Sequence, residues 1–131
     1  MTVKKVNAPE LARLPAFSHA VIAGDFIYVS GTLGTEPGSR ELAEGGTGPQ
    51  TTQALQNIEL ILKECGASLA DLVKVNVFLT DIQTFPEMNA AYLEVIGSDP
   101  PARITVGRSA FALKNAAVEI DVIAYKPASQ Q

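Results

Sequence analysis

The sequence predicts an α+β fold: a mixed β-sheet with two helices on one face. Two observations predict it. The elements read as strands, helix, strand, helix, strands, without internal repeats. The later strands alternate, so that each sheet has one apolar and one mixed face. At 131 residues, with no Pro-, Ser- or charge-rich stretch of linker length, residues 1–131 are expected to form one domain. A hydrophobic fraction of 47% is enough for a two-layer core.

Val3 to Asn7 reads as a short edge strand, and Ala8 to Ala16, with two prolines and no stable period, as loop. His19 to Ala23 and Phe26 to Ser30 are β-rich runs separated by Gly24 and Asp25, a connection suited to a tight hairpin. From Gly31 to Gly48 the chain is rich in Gly, Glu and Thr, which predicts an exposed loop with a β-turn at Glu36 to Ser39. Thr47 and Gln50 fit a capping box, and Pro49 is tolerated in a first helical turn. Leu55, Ile58, Leu62 and Cys65 follow as one apolar stripe, and Gly66 stands where a left-handed terminating residue is wanted. Cys65 therefore reads as core.

Leu72 to Thr80 has strand alternation, with Val73, Val75, Val77 and Leu79 on one face. Lys74, Asn76, Phe78 and Thr80 make the other face too polar to lie under helices. Thr84 with Glu87 resembles a second capping box, opening a helix striped by Met88, Ala91, Tyr92 and Val95 and ended by Gly97. Ala102 to Gly107 and Ala117 to Tyr125 complete the strands. On the last, Val118, Ile120, Val122 and Ala124 suit the helix side, which sends Glu119, Asp121, Ile123 and Tyr125 to the other. The same reading places Ala102, Ile104 and Val106 under the helices and Arg103 and Thr105 on the mixed face. A face combining charges with Phe78, Ile123 and Tyr125 suits an oligomer interface with embedded polar sites.

Several function classes are disfavoured by composition. One cysteine and one histidine cannot form a disulfide framework or an ordinary zinc site within one subunit, so no metal and no cofactor are expected. A net charge of −4 disfavours nucleic acid as a partner. The first twenty residues lack the apolar core of a secretory signal and no run is long enough to span a bilayer, so the expectation is a cytoplasmic protein without a membrane partner.

Among the remaining polar residues, Arg103 follows Pro100 and Pro101, which stiffen the approach to its strand. Its planar guanidinium can hold a carboxylate through two parallel hydrogen bonds. Glu119, placed on the same face, could act as a general base on water. A structural ion pair across an interface fits the same two residues, and the residues alone leave both readings open. His19 reads as a capping or packing histidine.

The segments AFSHAVIAGDFIYVSG, QTTQALQNIELIL, VKVNVFLTDIQTFPEMN, PPARITVG and AAVEIDVIA closely resemble the Rid family (YjgF/L-PSP) of enamine/imine deaminases, in the family's order from about Pro15 to Pro127. The resemblance implies a chorismate-mutase-like subunit, a homotrimer with clefts at subunit boundaries, and a small carboxylate substrate. It implies that Arg103 binds the substrate carboxylate and that Glu119 handles the water. It also places Ser30, Gly31, Asn89 and Thr105 in the substrate cleft, with Phe17 where many active relatives have tyrosine. Phe17 and the GTLGTEPG segment depart from the family pattern. The resemblance implies hydrolysis of a 2-aminoacrylate- or 2-imino-acid-type intermediate to a 2-oxo acid and ammonia, and these departures leave a larger enamine such as 2-aminomuconate as the alternative substrate. A non-catalytic carboxylate-binding trimer and an endoribonuclease are the rival readings.

Overall fold

The computed structural model describes residues 3–131. Six strands form one sheet in the order β1-β2-β3-β6-β4-β5. They are β1 (Val3–Val6), β2 (Ala20–Ala23), β3 (Phe26–Leu33), β4 (Leu72–Leu79), β5 (Ala102–Val106) and β6 (Val118–Tyr125). Neighbours run antiparallel except β4 and β5, which are parallel. Parallel pairing requires a crossover, supplied here by helix α2 (Phe85–Ile96). The longer helix α1 (Thr47–Glu64) precedes β4. The expected mixed sheet with two helices is therefore present, and the β2–β3 hairpin turns at Gly24, whose φ of 64° suits glycine.

Both helices pack against each other, and the core lies between α1 and the sheet. Leu55, Ile58 and Leu62 of α1 meet Ile27, Val75, Val77, Val118, Ile120 and Val122 from the central strands in one buried cluster. The helix α1 ends in a paired-bond turn: the Gly66 amide donates to the Lys63 carbonyl and the Ala67 amide to the Leu62 carbonyl, with Gly66 at φ 75°. Cys65 lies inside this turn, buried at 2% exposure, and burial pushes its thiol up to about 11. Cys65→Ser is therefore expected to lower stability by about 1–3 kcal/mol through the buried hydroxyl, read as a shifted denaturation midpoint. Rapid thiol labelling of the native protein would contradict burial.

Four sequence expectations need correction. Neither capping box forms. The helix α1 begins at Thr47 behind Gly46, and the Gln50 side chain accepts from the Ala117 amide at 2.8 Å, tying the helix to the start of β6. The Thr84 hydroxyl donates to the Asp81 carbonyl because a 3-10 turn (Ile82–Thr84) runs directly into α2. The alternation of β4 changes phase: Val73 is 43% exposed while Leu72 is buried, since a register shift against β6 between Leu72 and Lys74 swaps their faces. Strand β3 continues beyond Ser30 to Leu33 against β6, and a bridge between Thr35 and Leu42 orders part of the expected loop. The turn at Glu36 to Ser39 does form, closed by the Ser39 amide on the Glu36 carbonyl. Among the described residues no helix is long and apolar enough to cross a membrane.

Candidate functional site

Glu119 projects from β6 on the face away from the helices, half-buried between cross-strand partners Leu33 of β3 and Phe78 of β4. The β3–β6 register is irregular between Val29 and Thr32, so Ser30 and Gly31 sit in a bulge. There the Ser30 hydroxyl donates to the Ser18 carbonyl at 2.7 Å, and the Ser30 amide donates to the His19 carbonyl at 3.0 Å. A Cβ on Gly31 would stand 3.0 Å from the Glu119 carboxyl carbon, so the glycine leaves the carboxyl its place. Burial first, and the neighbouring Asp121 charge second, push the Glu119 carboxyl above the ordinary glutamate range.

Beside Glu119 opens a cavity of about 220 Å³, lined by Phe17, Ser30, Gly31 and Glu119 together with Leu11 and Leu14. The loop that carries the two leucines is held by His19. Its Nδ1 accepts from the Ala8 amide at 3.0 Å, and its Nε2 lies 3.0 Å from the Ala12 carbonyl. With Nδ1 accepting, the proton belongs on Nε2, which then donates to Ala12. His19 is thus the packing histidine expected from the sequence, and it shapes the cavity from behind.

Arg103 belongs to a different place. On β5 it pairs with Val75, whose side chain is fully buried under the helices, so the guanidinium lies on the helix face. Its central carbon stands 4.6 Å from the Tyr92 ring centroid and 5.5 Å from that of Phe85, both on α2. Asn89 occupies the same face of α2, one turn from each ring. Thr105 pairs with the buried Val77 and shares the face of Arg103.

This overturns the expectation that Arg103 and Thr105 share a sheet face with Glu119. Alternation shows which residues lie together but not which side they take. As an edge strand, β5 has reversed the exposure pattern: Ile104 and Val106 are 51% and 39% exposed on the open face. The predicted site residues therefore separate into two groups on opposite faces of one sheet. Phe17, Ser30, Gly31 and Glu119 form one, and Asn89, Arg103 and Thr105 the other. Phe85 and Tyr92, the rings beside the Arg103 guanidinium, were not among the sequence candidates: Tyr92 reads as part of the core stripe of α2 and Phe85 carries no assigned role. Their spacing around Asn89, four and three residues away, was the available signal.

The family described as Endoribonuclease L-PSP matches residues 7–126. This chain belongs to the Rid (YjgF/L-PSP) family. It is 41% identical over 125 residues to a RutC family protein of Pyrococcus abyssi (strain GE5 / Orsay), covering 94% of this chain and 98% of that one. A Bos taurus protein named 2-iminobutanoate/2-iminopropanoate deaminase is 39% identical over 122 residues, covering 93% of this chain and 87% of the relative. The crystal structure of yeast Mmf1 superposes with a TM-score of 0.88 at 35% identity, covering 95% of this chain and 99% of that one. For a Rid-family chain, the two separated groups hold every residue that the sequence resemblance assigned to the site.

Proposed function

We propose that the protein hydrolyses the imine or enamine of a 2-oxo carboxylic acid to the 2-oxo acid and ammonia. Its sites are shared between copies: Arg103 of one chain grips the carboxylate, and Glu119 of a neighbouring copy handles the water. The observation that carries this reading is the placement of Arg103 and Glu119 on opposite faces of one sheet, each in a half-exposed setting. A single chain cannot close both on one small molecule, whereas a second copy whose β5 edge, carrying Arg103, lies against the open sheet face beside Glu119 can. That face carries exposed Tyr28, Ile104, Val106 and Tyr125, apolar area suited to burial in a closed homotrimer.

In such a cleft the chemistry balances simply. An enamine first takes a proton at carbon to become the imine. Glu119 removes a proton from water while the oxygen bonds to the imine carbon, and the carbinolamine receives that proton at nitrogen. Glu119 then relays the hydroxyl proton to nitrogen as collapse breaks the C–N bond, so that ammonia leaves with the bonding pair and the carbonyl forms. A carboxyl held above the ordinary glutamate range is closer to neutrality and so better able to take and return the proton. The name of the bovine relative, 2-iminobutanoate/2-iminopropanoate deaminase, supports the reaction class. The net charge of −4 weighs against a ribonuclease.

Phe17, Leu11 and Leu14 make one side of the cavity apolar, which favours substrates with a longer side chain than a methyl. The test is ammonia release from freshly generated 2-imino acids of increasing size and from 2-aminomuconate. Release from any of them is expected, and release from none would overturn the reading. Phe17→Tyr adds a hydroxyl to the cavity wall and is expected to raise kcat/KM for the smallest imine relative to the larger ones. An unchanged ratio would remove Phe17 from specificity.

A further inference from the structure

An arginine fixed by a carboxylate of its own chain has already committed its donors. Among the described residues, Arg103 has no carboxylate oxygen within 4.0 Å and no side-chain hydrogen bond. What meets it instead are two aromatic rings, Tyr92 at 4.6 Å and Phe85 at 5.5 Å from the guanidinium carbon. Stacked rings attract a cation through their electron-rich faces and take no N–H in doing so. The five in-plane donors stay uncommitted while the plane itself is held.

Tyr92 belongs to this arrangement by its ring. It is 3% exposed, and its hydroxyl has no hydrogen-bond partner among the described residues. Phe85, at the first turn of α2, is half-buried and packed against the core. The two rings come from one helix, seven residues apart, and that helix is the crossover joining β4 to β5. The element that connects the strands thus also orients the side chain of the second one.

We propose that Phe85 and Tyr92 are positioning residues that set the plane of the Arg103 guanidinium, and thereby the orientation of the substrate carboxylate. This rests on the carboxylate clamp proposed above. Removing a ring should leave the charge but free its plane, weakening carboxylate binding more than turnover.

The experiment measures KM and kcat, with calorimetric affinity for pyruvate as a non-reacting carboxylate, in Phe85→Leu, Tyr92→Leu, Tyr92→Phe and Arg103→Lys. Both leucine variants are expected to weaken pyruvate binding and raise KM about 3- to 30-fold with kcat changed far less. Tyr92→Phe keeps the ring face and should restore affinity to within about 3-fold of the original. If Tyr92→Leu fails to fold, the less buried Phe85→Leu carries the test. Unchanged affinity in a folded leucine variant, with affinity lost in Arg103→Lys, overturns the aromatic positioning alone. Unchanged affinity in Arg103→Lys overturns the clamp beneath it.

Discussion

Arg103→Lys is expected to lower kcat/KM for a 2-imino acid by about 10²-fold or more while the fold is retained. The charge survives, so a purely electrostatic role would survive with it. What is lost is the planar pair of N–H donors that meets both carboxylate oxygens, and an ammonium cannot reproduce it. The aromatic contacts sharpen this difference, because Tyr92 and Phe85 offer flat faces suited to a flat guanidinium. Steady-state kinetics on the folded variant check it. Turnover equal to the parent would refute the clamp.

Glu119→Gln is expected to lower kcat by about 10²–10⁴-fold, the usual range for loss of a general base, with affinity for pyruvate nearly unchanged. A protein that merely binds carboxylates would show no such separation, so this variant also distinguishes an enzyme from a sensor. The pH dependence has a definite sign. Burial and Asp121 raise the Glu119 carboxyl in the folded state, so the folded protein holds this proton more tightly than the unfolded chain. The associated stability is present below the ordinary glutamate value and is lost as pH rises through the folded one. Glu119→Gln removes that loss, so its melting temperature relative to the parent should rise as pH rises above the ordinary glutamate value. A relative melting temperature that falls over this range would contradict the buried carboxyl.

Much of this architecture was legible because strong periodicity reports on burial. The stripe of Leu55, Ile58, Leu62 and Cys65 and the alternation of Val118, Ile120, Val122 and Ala124 each face the core as their spacing implies. Local hydrogen-bond chemistry was less legible. Thr47 and Gln50 have the right spacing for a box, yet Gln50 binds the amide of Ala117, sixty-seven residues away. Such a competitor has no local signature. Strand faces fail for a related reason: the shift beside Val73 and the helix-side position of Arg103 depend on pairing partners. The sequence resemblance named the candidate site residues, but only the sheet register separates them into two groups.

That separation is the central claim, and mixing two inactive proteins tests it most directly. Arg103→Lys and Glu119→Gln chains are unfolded together, refolded in equal amounts and assayed for ammonia release beside each variant refolded alone. If a site takes Arg103 from one copy and Glu119 from another, random assembly leaves roughly one site in four with both native groups. The mixture should then recover about a quarter of the parent activity, far above either variant alone. Activity no greater than the average of the two variants, in a mixture shown to contain mixed oligomers, would place both residues in one chain's site and contradict the account.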